Sequence, residues 1–146
     1  MKKVLILGTL SMMISTSALA VYEQEGSVDG YAVYKQKCQM CHIEMISKKE
    51  TLKRFNTLKA PPMVEVSARL KENILLKEND EDVKRELILT FMRDYIINPN
   101  LDKSMCHLGA IDKFGVMPSQ NGKLNQEEIH AVTEWIYDRY QDNKFK

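Results

Sequence analysis

The chain has 146 residues, 44% of them hydrophobic, with 21 basic against 20 acidic side chains and a net charge of +1. That length suits one domain. So even a balance creates no strong overall field, which argues against nucleic acid as a partner.

The first twenty residues read as a signal peptide. Lys2 and Lys3 form a positive start, Val4 to Ile14 an apolar stretch, and Ala18-Leu19-Ala20 a small-residue cleavage site. The apolar stretch is too short to span a bilayer. Val21 follows the expected cut rather than a cysteine, so no lipid anchor is expected. The expected division is a cleaved signal peptide, 1–20, and a single domain, 21–146, in the periplasm. Retention of the leader as a membrane anchor is the alternative. Loss of the two lysines takes the net charge to roughly −1.

A helix is expected over Val28 to Lys37. It leads into Cys38-Gln39-Met40-Cys41-His42. C-x-x-C-H is the attachment sequence of a c-type haem. Two thiols at this spacing can each add to one vinyl group of a porphyrin, forming two thioether bonds. The imidazole that follows can then bind the iron from below. Export agrees with this, since haem attachment is expected outside the cytoplasm. Two other readings stay open. Cys38 and Cys41 could hold zinc together with Cys106 and His107. They could instead form a thiol–disulfide centre, although the strand-then-helix setting of such centres is missing.

Basic Lys48, Lys49, Lys53, Arg54 and Lys59 follow the C-x-x-C-H segment, and Pro61-Pro62 marks a loop. A helix is expected over Val64 to Leu76, from Val66, Leu70 and Ile74 at spacing four. Glu78, Asp80, Glu81 and Asp82 form an acidic run that reads as a solvated face. The clearest long helix spans Asp82 to Ile97. Leu87, Phe91 and Tyr95, with Ile88 and Met92, recur at spacing four, and Pro99 follows its end. Asn100 to Lys123 carries glycines and a proline without periodicity and reads as a loop. The last helix starts at Asn125, with Glu128 as return partner of a capping box. Ile129, Val132, Ile136 and Tyr140 form its apolar face, with Trp135 beside it. The tail from Asp142 to Lys146 is expected to fray.

His42 alone would leave the sixth iron position open. Met117 stands in Gly115-Val116-Met117-Pro118-Ser119, and Pro118 restricts it to extended conformations. A thioether opposite an imidazole favours the reduced iron and raises the potential. In a chain with nine methionines, Met117 can equally be packing material. His107, ten residues earlier, is the rival ligand. His130 reads as a surface residue of the last helix. Cys106 reads as a small buried residue, with intermolecular pairing or a sensor role as alternatives.

Several patterns together resemble the class I cytochromes c, small single-haem electron carriers. Gly30 and Tyr34 before C-x-x-C-H are similar to that family's first helix. Pro61-Pro62 resembles the proline loop beyond the haem histidine. Tyr95-Ile96-Ile97-Asn98-Pro99 resembles the Y-L-x-N-P helix ending. Met117-Pro118 resembles the axial methionine motif, and Glu128 to Ile136 the closing helix. The resemblance covers nearly all of 21–146. It implies an all-α cytochrome c fold with crossing terminal helices around one covalent haem c, held by Cys38 and Cys41.

It also implies His42 and Met117 as axial ligands. The carbonyl of Pro61 or Pro62 would accept the far N–H of His42, and Tyr95 would lie in the haem pocket near the Met117 sulfur. Gly30 would let the terminal helices approach, and Tyr34 would pack on Val132 and Trp135. The implied function is periplasmic electron transfer, not enzymatic turnover. Membrane or periplasmic redox enzymes would be donor and acceptor, and the chain would be monomeric or weakly associating. A haem sensor with a displaceable sixth ligand is the nearest alternative. Compared with compact members, the chain is longer before Pro61 and between Asn100 and Val116.

Overall fold

A computed structural model describes residues 27–77, 80–143, 145 and 146. The expected signal peptide and its cleavage site lie outside the described residues. Six α-helices, and no named strand, occur among those described: α1 Gly30–Val33, α2 Lys48–Arg54, α3 Met63–Asn73, α4 Glu81–Ile97, α5 Leu108–Phe114 and α6 Gln126–Arg139. None is long and apolar enough to cross a membrane. The all-α expectation holds.

The chain is organised by the crossing of α1 and α6. Gly30 makes it possible. A methyl group there would fall onto the Ala131 carbonyl and lie 2.7 Å from the Trp135 Cβ. Tyr34 stacks on Trp135 with ring centroids 4.7 Å apart, and Tyr31 stacks on Trp135 at 5.2 Å. Such aromatic contacts add to the free energy of area burial. The capping box forms as read: Asn125 accepts from the Glu128 N–H at 2.8 Å, and Glu128 accepts from the Asn125 N–H at 2.9 Å. Ile129, Val132, Ile136 and Tyr140 are buried, as their spacing requires.

Several expectations need correction. α1 does not continue as an α-helix to Lys37. It widens into a π segment over Tyr34–Cys38, where Gln39 N–H donates to the Tyr34 carbonyl. α3 stops at Asn73, because Ile74 is already extended. On α4 the core face is Ile88, Leu89 and Met92, whereas Leu87 is exposed. The region read as a continuous loop contains α5, and the basic stretch forms α2. Ser47 caps α2 by accepting from the Glu50 N–H. The tail does not simply fray. Phe145 packs against the core, and the Lys146 carbonyl accepts from the Lys48 N–H at 2.8 Å.

Candidate functional site

The π segment delivers Cys38 to the start of a tight turn. The N–H groups of Cys41 and His42 both donate to the Cys38 carbonyl, at 3.0 and 2.9 Å. These bonds close the backbone of C-x-x-C-H into one tight turn. Cys38 is half-buried, Cys41 is exposed, and neither is in a disulfide. Burial, then the neighbouring Cys41, pushes the free Cys38 thiol up to about 11. A π bulge beside a functional group is a recurrent use of that geometry.

His42 is oriented from its far side. Its Nδ1–H donates to the Pro61 carbonyl at 2.8 Å. Of the two prolines, Pro61 is therefore the partner. Pro62 is buried and precedes α3, where its own carbonyl accepts from Glu65 and Val66. Burial holds the His42 pKa below its usual value, and the Pro61 bond opposes this. A neutral imidazole with Nδ1 engaged has its Nε2 lone pair available for a metal.

The backbone after Cys41 is held by partners that the sequence did not reveal. Three successive carbonyls are used. The His42 carbonyl accepts from the Tyr34 hydroxyl at 2.6 Å. The Ile43 carbonyl accepts from the Met63 N–H at 2.8 Å. The Glu44 carbonyl accepts from the Tyr140 hydroxyl at 2.9 Å and from the Val64 N–H at 3.2 Å. The Glu44 side chain also meets the Arg139 guanidinium at 2.9 Å. The π segment after α1, helix α3 and the end of α6 thus converge on residues 42–44.

Met117 is half-buried in the loop after α5. Gly115 turns the chain there with φ of 68°, a conformation that favours glycine. Just beyond Met117, Ser119 Oγ donates to the Ile97 carbonyl at 2.6 Å, and the Gln120 N–H donates to the Ile96 carbonyl at 3.0 Å. The loop is therefore fixed to the C-terminal end of α4. Tyr95, the residue before Ile96 on α4, is half-buried and stacks on Phe91 at 5.6 Å. Its hydroxyl has no hydrogen-bond partner among the described residues.

The remaining candidates fall elsewhere. His107 is exposed at the start of α5, and its Nε2 accepts from Arg69 on α3. Cys106 is exposed, which corrects the expectation of a buried thiol. His130 is exposed as expected. No group of three or more His, Cys, Asp or Glu could hold a metal ion among the described residues. The zinc arrangement of Cys38, Cys41, Cys106 and His107 is thus not assembled. The C-x-x-C-H turn does fit a covalently held haem. Its two thiols are unpaired, and its imidazole is oriented with Nε2 free.

Residues 28–136 match a family described as cytochrome C oxidase, cbb3-type, subunit III. An uncharacterised protein of Aquifex aeolicus (strain VF5) is 38% identical over 123 residues, covering 78% of this chain and 75% of the relative. No solved structure matches.

Proposed function

The chain belongs to this family of c-type cytochrome domains, with a haem-based role in electron transfer, and from that premise we propose that it is an exported single-haem electron carrier of the periplasm. Cys38 and Cys41 hold the haem through thioether bonds. His42 and Met117 bind the iron from opposite faces. Haem iron supplies reversible one-electron chemistry, and filling both axial positions with protein leaves no place for a substrate. The observation that carries this reading is the Pro61–His42 hydrogen bond. It fixes the ring, selects the tautomer and leaves Nε2 as the donor atom.

Support for Met117 over His107 is geometric. His107 is exposed, and its Nε2 is engaged by the Arg69 guanidinium of α3. Met117 instead follows a glycine turn and precedes a pinned loop. The signal at 1–20 supports export, and the division into a leader and one domain at 21–146 belongs to the same proposal.

Exposed Lys48, Lys49, Lys53, Arg54 and Lys59 lie on and just after α2, close in sequence to the attachment turn. They suit docking to acidic redox enzymes, as donor and acceptor. Such pairing raises encounter rates at low salt. Electron-transfer rates that stay flat from low to high salt would remove this docking surface.

The test is spectroscopic. The full chain, made in a host that attaches haem, should show a Soret band that survives denaturation, as covalent attachment requires. The oxidised protein should show the weak far-red iron–sulfur band. Met117→Ala should abolish that band. Colourless protein would refute the reading as a whole, and persistence of the band in Met117→Ala would refute the sixth ligand alone. A sensor with a displaceable Met117 would bind carbon monoxide rapidly when reduced, whereas the carrier should not.

A further inference from the structure

Two segments lengthen this chain relative to compact cytochromes, and the structure docks them on each other. Phe114, the last residue of α5, meets Phe55 edge to face at 5.4 Å, just after α2. Beside it, Lys113 Nζ donates to the Asn56 carbonyl at 3.4 Å. The start of the same stretch is tied to α3. Arg69 donates to His107, and Asn73 Nδ2 donates to the Met105 carbonyl at 3.2 Å. Met117 follows Phe114 by only a few residues, across Gly115. On its other side Ser119 and Gln120 are fixed to the end of α4.

We propose that α5 is a strap on the sixth ligand, with Phe55 and Phe114 as positioning residues that hold Met117 in place. The inference rests on Met117 being that ligand. Its physical basis is the length of free chain. With Phe114 docked, roughly four residues separate the two anchors around Met117. Without it, and once the long Lys113–Asn56 bond beside it lets go as well, about eleven residues are free back to the His107 anchor. Closure probability scales as the inverse three-halves power of loop length, so the sulfur is presented roughly five-fold less effectively. Neither phenylalanine touches the iron site by necessity. Each acts through the position of the loop.

The experiment uses the haem-loaded full chain with imidazole as the external ligand. Imidazole nitrogen replaces the Met117 sulfur on the oxidised iron, and the loss of the far-red band gives the rate. Phe55→Ala and Phe114→Ala should each accelerate replacement roughly five-fold, and the double variant should do little more, because both remove one contact. Phe114→Leu, which keeps an apolar group, should restore most of the parent rate. Amide exchange at Gly115, whose N–H donates to the Ile111 carbonyl at 2.8 Å, should rise with the same ranking, while exchange in α6 stays unchanged.

Replacement rates within two-fold of the parent in both Ala variants would overturn the strap. So would an equal acceleration in Asn125→Ala, which weakens α6 and leaves the strap alone. If the far-red band survives Met117→Ala, the ligand assignment fails instead. Gly115 exchange then still reports whether the aromatic pair holds α5.

Discussion

Replacing Tyr34 by phenylalanine removes one oxygen from the wall behind His42. The ring is fully buried, and its stack on Trp135 at 4.7 Å does not need the hydroxyl. What disappears is the 2.6 Å bond to the His42 carbonyl. No second donor to that carbonyl is found among the described residues, so the acceptor is left without a partner. Leaving a buried acceptor unpaired costs about 1–3 kcal/mol, against about 1 for an average hydrogen bond. We expect about 2 kcal/mol, or a fall in melting temperature of roughly 5–10 °C for a domain of this size. Denaturant unfolding of parent and Tyr34→Phe, compared at equal slope, measures it. In the haem-loaded protein the His42 ring resonances should also shift, since its backbone is released on one side. A loss below about 0.5 kcal/mol at unchanged slope would mean that water reaches this carbonyl and that Tyr34 does not brace His42.

Gly30→Ala should destabilise by about 2–3 kcal/mol, because the Ala131 carbonyl and Trp135 must retreat together; unfolding with the parent's stability would show that the crossing tolerates a methyl group. Asn125→Ala should cost about 1 kcal/mol through loss of the capping box, with Asn125→Asp close to the parent. Alkaline pH should weaken the fold. Burial, then Glu44, raises the pKa of both Tyr34 and Tyr140 above the ordinary 10.0. Their phenols therefore ionise first in the unfolded chain. The part of the stability that these two phenols contribute should be level below pH 10 and be lost as pH rises beyond it. Tyr34→Phe/Tyr140→Phe should flatten that slope, and an equal slope in parent and double variant would place its cause elsewhere.

What could be read from the sequence was mostly local. C-x-x-C-H, the Asn125 capping box and the apolar face of α6 rest on residues one to four positions apart, where chain geometry fixes the outcome. α2 also carried a readable signal, Ser47 with Glu50 three residues on, which matches a helix start. α5 carried a weaker one. Its seven residues place Leu108, Ile111 and Phe114 at spacing three, but over barely two turns and with a glycine among them, and its docking depends on Phe55 at the other insertion. The choice of Pro61 over Pro62 needed coordinates, because either carbonyl was within chain reach of His42. The tyrosine hydroxyls were equally hidden. Tyr140 reads as one more apolar position on α6, yet its oxygen serves Glu44, 96 residues away.

The two halves of the candidate iron site are built by different means, and this sets which half can move. On the histidine side, neighbouring carbonyls and the ring Nδ1 are all engaged, and the partners come from the π segment after α1, from α3, from the end of α6 and from Pro61. Shifting His42 would break several bonds at once, two of them made by buried tyrosines. On the methionine side, no hydrogen bond to Met117 itself is found among the described residues. It is held at a distance by Ser119 and Gln120 on one flank and by α5 on the other. Opening there needs only the release of one anchor and a turn at Gly115, which is free to adopt other conformations. Local openings of this kind cost less than global unfolding. With His42 and Met117 as the proposed ligands, exchange should therefore begin at Met117, with His42 retained until the terminal helices separate.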